Sequence, residues 1–330
     1  MAAYALETGD RAEVTAICRS NYDVVKERGF NIDSLEHGHG IKGWRPSHIL
    51  RHDHFPDLAK DREESLFEYV VVTTKDIADV PPTVVDIISP AIKHGHTTVV
   101  LLQNGLNIEK PILERFPNNV VLSGVSLISA SEPTHGHIIH EFSDVLKVGP
   151  FPGLRVPVSQ VGSSARRFVE MYNACGKVNC TYDDDVSYTR WKKLVYNSSF
   201  NSVSAILGMD VIRMRQTRHV IDDLIRPIML EIIATAKAAG VDLPEGVDDE
   251  SIMIDPSDDN FLPSMGQDAA KSNLMEVETI VGAPVREAER LCVPVPTLSM
   301  VYGLLKGKQV MIKEVKAMWQ AEWKDGNPYR

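Results

Sequence analysis

The chain has 330 residues, of which 43% are hydrophobic and 24% are charged, and its formal net charge is -10. These values are typical of a soluble globular protein that is long enough for two domains. The acidic balance, without a block of consecutive Lys or Arg, argues against nucleic acid or an anionic membrane as a partner. The sequence contains no run of about eighteen apolar residues, so it predicts no membrane span.

Cysteine and histidine spacing bears on metals and on the cellular compartment. The four cysteines form no C-x-x-C, which favours free thiols in a reducing compartment over disulfides or a zinc site. The first ten residues resemble neither a secretory signal nor a transit peptide. We expect a cytoplasmic protein, because free thiols indicate a reducing compartment. Three H-x-H pairs lack a third ligand at a recognised spacing, so we expect no metal and interpret them as loop and surface residues: His37/His39, His94/His96 and His135/His137.

The first half of the chain alternates short β-rich segments with helical segments, which is the pattern of a parallel sheet covered by helices. A helix is indicated over residues 82–94, and an antiparallel hairpin over 138–142 and 145–148. Apolar, β-branched runs predict strands, most of them buried on both faces, at residues 14–18, 69–74, 98–102 and 120–126.

The second half has the character of a helical domain. Gly240 stands where a helix-terminating glycine belongs, and the acidic stretch 242–263 is expected to form a surface loop. We therefore predict an α/β domain over residues 1–183 and an all-helical domain over 184–330. Long helices are predicted at residues 186–207, 217–239, 267–290 and 296–306.

Three polar residues recur at a spacing of four in the first of these helices: Lys193, Asn197 and Asn201. On an α-helix this spacing places them on one face. An ammonium and two carboxamides make a poor core face, because each group needs hydrogen bonds if it is buried. The pattern fits the wall of a substrate site, where the ammonium supplies a proton, but it also fits a solvated helix face.

A second group surrounds the start of the predicted helix 267–290. Ser264 and Gln267 have the spacing of a capping box, which is a structural role. Glu276, on the same predicted helix, is either a solvated charge or a carboxylate that holds Lys193 charged and oriented.

Polar residues also follow three predicted strands, where ligands bind in open α/β sheets. Lys75 follows the strand at 69–74, and Asn104 follows the strand at 98–102, although Asn104 also begins a strong turn dipeptide. Arg19 follows the strand at 14–18. NAD-binding proteins carry an acid at that point, whereas an Arg suits the 2′-phosphate of NADP.

Five segments together resemble the ketopantoate reductase (2-dehydropantoate 2-reductase) family over almost the whole chain. They are CRSNYDVVKERG, VVVTTKD, LLQNGLN, RWKKLVYNSSFN and SMGQD with Glu276 twelve residues after Ser264. The resemblance implies a Rossmann-like parallel-sheet domain joined to an all-helical domain, with the active site in the cleft. It implies NADPH-dependent reduction of a 2-oxo acid, ketopantoate or a close relative, in pantothenate biosynthesis. A homodimer is a further expectation.

The resemblance also implies roles for individual residues. Lys193 would be the general acid, and Glu276 would orient it or bind the substrate. Three residues would hold the 2-oxo acid: Asn197, Asn201 and Ser264. Three would lie near the NADPH cofactor: Arg19 at its phosphate, Lys75 and Asn104.

The start of the chain departs from the family pattern. Family members begin with a strand and a G-x-G-x-x-G turn that opens the first helix, whereas MAAYALETG resembles the rest of that helix, closed by Gly9. We expect an incomplete N-terminus, with in-frame coding sequence upstream of Met1 that encodes the strand and the loop. The alternative is a shortened, non-catalytic paralogue that acts as a binding or scaffolding protein.

Overall fold

The computed structural model describes residues 1–53, 67–151, 153, 155–258, 260–323 and 325–329. The chain divides into two compact units. The first unit contains Met1–Thr74, Val84–Gln103 and Ile108–Val186, and the second contains Lys75–Thr83, Asn104–Asn107 and Ser187–Arg330. Two short segments from the first half of the sequence therefore belong to the second, helical unit.

The first unit combines strands with short helices. In chain order its strands are β1 (Thr15–Cys18), β2 (Phe30–Ser34), β3 (Gly38–Trp44), β4 (His48–Arg51), β5 (Tyr69–Val72), β6 (Thr98–Leu101), β7 (Val121–Ser126), β8 (Ser129–Thr134), β9 (His137–Phe142), β10 (Val145–Pro150) and β11 (Asn179–Tyr182). Its helices are α1 (Ala2–Thr8), α2 (Tyr22–Arg28), α3 (Val84–Ile88), α4 (Lys110–Arg115) and α5 (Val158–Asn173). A 3₁₀ turn, Ser89–Ala91, follows α3.

The largest sheet has the spatial order β11-β10-β7-β6-β5. Strands β5, β6 and β7 are mutually parallel, while β10 is antiparallel to β7 and parallel to β11. Each residue of β6 is buried, as expected for a strand covered on both faces. Val99 and Leu101 pack with Ile112 of α4, whereas Val100 packs on the other face with Phe168 of α5. The predicted α/β architecture is confirmed.

Two smaller sheets complete the first unit. Strand β1 pairs in parallel with β4, and the other sheet has the order β3-β2-β9-β8. The predicted hairpin of 138–142 with 145–148 is wrong, because β9 pairs with β2 and β8 while β10 enters the largest sheet. The true partner, β8, has the polar and largely exposed sequence SASEPT, which gives no apolar alternation to detect.

The second unit is all helical. Its helices are α6 (Val186–Tyr196), α7 (Ser202–Leu207), α8 (Val211–Gln216), α9 (Arg218–Val220), α10 (Arg226–Ala238), α11 (Val247–Ile252), α12 (Ser264–Ala270), α13 (Ala283–Arg290) and α14 (Pro296–Val315). Three π-helical turns are inserted: Asn197–Asn201, Ile221–Ile225 and Glu278–Gly282. The core is apolar and surrounds the fully buried Phe200 and Leu194. The predicted helical domain is confirmed.

Three local predictions in this unit are wrong. The helix predicted at 267–290 is interrupted, because α12 ends at Ala270 and the left-handed Ser272 (φ 52°) turns the chain away. Glu276 therefore does not share a helix with Ser264. The predicted capping box is absent, since Gln267 instead donates its amide to the carbonyl of Leu262. The predicted loop 242–263 contains α11, which begins with three acidic residues that favour a helix N-terminus.

Candidate functional site

A hydrogen-bonded group in the second unit joins three of the predicted site residues. Lys193 Nζ donates to Asn104 Oδ1 at 2.9 Å, and Asn104 Nδ2 donates to Glu276 Oε2 at 3.3 Å. The other carboxylate oxygen, Oε1, accepts from the backbone N–H of Asp76 at 3.1 Å. One carboxamide thus connects an ammonium with a carboxylate. We call Lys193, Asn104 and Glu276 the Lys193 cluster.

The backbone around Gly105 positions Asn104 in this cluster. Gly105 has a φ of 101°, and a Cβ added there would lie 2.4 Å from Thr279 Cβ. The next residue, Leu106, donates its N–H to the carbonyl of Thr279 at 2.8 Å. Only glycine allows this close approach, which anchors the segment carrying Asn104 to the π-helical turn that follows Glu276.

Burial and charge alter the acidity of Lys193. Desolvation, followed by the charge of Arg190, lowers the pKa of Lys193 from 10.5 to about 8, while Glu276 acts in the opposite direction. Arg190 is itself buried, and its Nη1 donates to the carbonyl of Gly105 at 2.8 Å. Sequence reasoning missed Arg190, although it lies one helical turn before Lys193 in the quoted segment RWKKLVYNSSFN.

Glu276 is buried, with 7% of its surface exposed. Desolvation raises the pKa of its carboxyl group, and the donors Asp76 N–H and Asn104 oppose that shift. The charges that act on it are Lys75, which lowers its pKa, and Asp268, which raises it. Burial therefore favours the protonated form of this carboxyl group, whereas the two donors favour its charged form.

Lys75 forms an ion pair with Asp268, a residue of α12. The Lys75 side chain is 47% exposed, whereas the Asp268 side chain is 10% exposed. Asp268 was not predicted as a site residue, although it ends the quoted segment SMGQD. The pattern could not reveal the pair, because 193 residues separate its two members.

The three residues predicted to hold a substrate differ in burial. Asn197 and Asn201 bound a π-helical turn and are 7% and 4% exposed. No hydrogen bond joins either carboxamide to another residue in the part of the chain that the structure describes. Ser264 is exposed at the first position of α12. Neither carboxamide is among the fully buried polar side-chain atoms that lack a hydrogen-bond partner in the described part of the chain.

Arg19 lies in the first unit, directly after β1 and outside the carboxyl end of that strand. It is exposed, and no ion pair with another described residue involves it. The structure does not connect Arg19 with the Lys193 cluster.

The described residues offer no candidate for two kinds of feature, a metal site and a membrane span. Within the described ranges, no group of three or more His, Cys, Asp and Glu side chains could hold a metal ion. None of the helices in those same ranges is both long and apolar enough to cross a membrane.

Comparison with known families identifies both units. Residues 1–153 match the family described as ketopantoate reductase PanE/ApbA. Residues 185–309 match the C-terminal domain of the same family. The two matches together leave only the segment between them and the end of the chain unassigned.

Individual relatives include an uncharacterized protein and a 2-dehydropantoate 2-reductase. An uncharacterized protein of Saccharomyces cerevisiae is 36% identical over 328 residues, which cover 93% of this chain and 89% of the relative. A 2-dehydropantoate 2-reductase of Nostoc is 26% identical over 223 residues, which cover 66% of this chain and 67% of the relative.

Solved structures show the same fold. The 2-dehydropantoate 2-reductase from Methylococcus capsulatus has a TM-score of 0.78 at 25% identity, covering 94% of each chain. A D-mandelate dehydrogenase solved with NADH and anilino(oxo)acetate has a TM-score of 0.77 at 19% identity, covering 94% of this chain and 95% of its own. The chain therefore belongs to the ketopantoate reductase family of oxidoreductases.

Proposed function

We propose that the protein uses NADPH to reduce the keto group of a 2-oxo acid, which is ketopantoate or a close relative. The observation that carries the proposal is the Lys193 cluster, in which a lysine with a pKa of about 8 is hydrogen-bonded to Asn104 and through it to a buried carboxylate. A solvated helix face, the alternative interpretation of this lysine, would not lower its pKa by burial.

Polar residues that follow three strands support a nicotinamide cofactor in this proposal. When bound, NADPH supplies a hydride to the carbonyl carbon of the substrate. Arg19 would hold the 2′-phosphate, since its exposed guanidinium follows a parallel strand. Lys75 and Asn104 would lie near the cofactor and the substrate.

Lys193 supplies the proton in this proposal. As negative charge develops on the keto oxygen, the Lys193 ammonium transfers a proton from Nζ to that oxygen. A pKa of about 8 keeps the amine mostly protonated at neutral pH, yet makes it a stronger acid than an ordinary lysine. Asn104 Oδ1 holds Nζ in place, and Glu276 fixes the orientation of the Asn104 carboxamide.

Asn197 and Asn201 would bind the polar atoms of the substrate. Both residues are mostly buried, and no hydrogen bond joins their carboxamides to another described residue, so a bound 2-oxo acid would serve as their hydrogen-bond partner. Ser264, at the exposed start of α12, would add a hydroxyl donor to the substrate.

Location, pathway and assembly belong to the same proposal. We propose a cytoplasmic enzyme of pantothenate biosynthesis, and four free cysteines support a reducing compartment. We also propose a homodimer. Cell fractionation, pantothenate auxotrophy after gene deletion and light scattering test the three statements in turn.

Cofactor titration followed by nicotinamide fluorescence is the first test. We expect saturable NADPH binding, and Arg19→Ala should weaken NADPH far more than NADH. Equal weakening of both cofactors would remove Arg19 from the phosphate site. Absence of saturable binding would contradict the enzyme and favour the non-catalytic binding or scaffolding protein.

Turnover on a panel of 2-oxo acids that includes 2-dehydropantoate is the second test. Lys193→Ala should lower turnover by about 10²–10⁴, as loss of a general acid does. Lys192→Ala is the matched control, because Lys192 pairs with Glu250 on the surface and should keep near-normal turnover. Near-normal turnover of Lys193→Ala would contradict the assigned role.

A further inference from the structure

The segment Lys75–Thr83 brings two groups to the Lys193 cluster and its surroundings. The backbone N–H of Asp76 donates to Glu276 Oε1, and Lys75 pairs with Asp268. Although this segment follows β5 in the chain, it belongs to the helical unit. It contains no helix or strand of its own, and hydrogen bonds and ion pairs join it to the rest of this unit.

Asp79 provides such contacts to helix α14. Its Oδ2 accepts from Lys306 Nζ at 2.8 Å and from Lys313 Nζ at 3.1 Å. The two lysines are seven residues apart, so they lie on one face of the helix, two turns from each other. Burial alone would raise the pKa of Asp79, but these two ammonium groups outweigh it and lower that pKa.

Lys306 also reaches the segment that carries Glu276. Its Nζ donates to Glu278 Oε1 at 2.6 Å, and the Glu278 side chain is only 12% exposed. Arg286 and Tyr302 donate to the same carboxylate. Lys306 therefore bridges Asp79, three residues after Asp76, and Glu278, two residues after Glu276.

We propose that Lys306 is a positioning residue that clamps the segment Lys75–Thr83 against Glu278 and thereby holds the Asp76 N–H on the Glu276 carboxylate. This inference rests on the proposed function, in which Glu276 orients the general acid through Asn104. Lys306 contacts none of the three members of the Lys193 cluster. Its effect on them passes through the backbone of two short segments.

Removing the bridge should have a specific consequence. Without Lys306, the carboxylates of Asp79 and Glu278 lose their shared cation, although Lys313 and Arg286 still pair with them separately. The two segments are then no longer tied together, and like charges repel. Loss of the Asp76 donor would raise the pKa of Glu276 further, because burial already disfavours its charged form.

The test compares Lys306→Met with two other variants of the full chain. Lys306→Arg retains a bridging cation and should restore wild-type behaviour. Arg286→Met is the matched control, since it removes a cation from Glu278 that does not contact Asp79. Thermal unfolding of all three variants identifies any general loss of folding.

Amide hydrogen exchange is the first readout. Lys306→Met should accelerate exchange in the peptide covering 75–83 by about tenfold or more, whereas α6 should keep its protection. The pH dependence of turnover is the second readout. The acidic limb of the Lys306→Met profile should move by about one pH unit to higher pH.

The outcomes separate this inference from the proposed function. Unchanged exchange in 75–83, an unshifted acidic limb, or equal effects of Arg286→Met would each overturn the clamp. If the wild-type chain reduces no 2-oxo acid, the proposed function fails. The exchange experiment alone then decides whether Lys306 holds the segment.

Discussion

Replacing Lys193 by Met should change how stability depends on pH. In the folded chain the pKa of Lys193 is about 8, whereas the ordinary value of 10.5 applies to the unfolded chain. Between these two values the unfolded chain binds more protons at this site, so the free energy of unfolding rises with pH. Below about pH 8 the amine is charged in both states, and its full desolvation cost lowers the free energy of unfolding. Above about pH 10.5 the amine is neutral in both states, and this cost is absent.

The size of the effect follows from the same two pKa values. A pKa lowered from 10.5 to about 8 corresponds to about 3 kcal/mol, which is an upper figure because the side chain is only partly buried. Met removes this dependence together with the hydrogen bond to Asn104. Loss of that bond adds a constant cost that does not vary with pH over this range. The advantage of Lys193→Met over the wild type should therefore fall by up to about 3 kcal/mol between pH 7.5 and 10.5.

Urea unfolding of both proteins, followed by circular dichroism at several pH values, measures this difference. Lys192→Met is the control, because Lys192 lies next in the chain but pairs with Glu250 at the surface. The difference in unfolding free energy between Lys192→Met and the wild type should change less steeply with pH than the difference for Lys193→Met. A difference for Lys193→Met that stays flat from pH 7.5 to 10.5 would refute the argument that burial lowers the pKa of this lysine.

Three further predictions concern unfolding free energies measured in urea. Gly105→Ala should cost at least about 2 kcal/mol more than Gly208→Ala. Both glycines have a positive φ, but only a Cβ at Gly105 would collide with backbone atoms. Equal costs of the two substitutions would contradict the predicted collision. Gln309→Leu should cost about 2–4 kcal/mol, because it leaves the buried N–H and carbonyl of Met275 unpaired, and a cost below about 1 kcal/mol would argue against that pairing. Phe200→Ala should cost about 3–5 kcal/mol through the cavity left in the helical core, and a cost below about 1 kcal/mol would contradict this expectation.

Two of the predictions that failed share one cause. The sequence indicated one helix over 267–290, because its helical spacing continues through the break at Ser272. It indicated a hairpin between two neighbouring strands that in fact belong to different sheets. In both cases the local pattern was compatible with the prediction, and contacts with distant segments decided otherwise.

In the candidate site, too, motifs named residues, whereas tertiary contacts decided how those residues interact. Lys193, Asn104 and Glu276 could be named from motifs, yet the hydrogen bonds that join them span 89 and 172 residues of sequence. Arg190 and Asp268 were missed because their importance lies in what they contact. The proposed role of Lys306 could not be inferred from spacing at all, since it depends on two segments that meet only in the folded unit.

The sequence by itself determined the α/β first half, the helical second half and the family. Buried strands and amphipathic helices follow from local apolar periodicity, which is written into neighbouring residues. The tertiary structure decided strand partners, the break before Glu276 and the transfer of Lys75–Thr83 and Asn104–Asn107 to the helical unit. It also decided the acidity of Lys193, because desolvation, the largest cause of its lowered pKa, arises only when distant segments pack around α6.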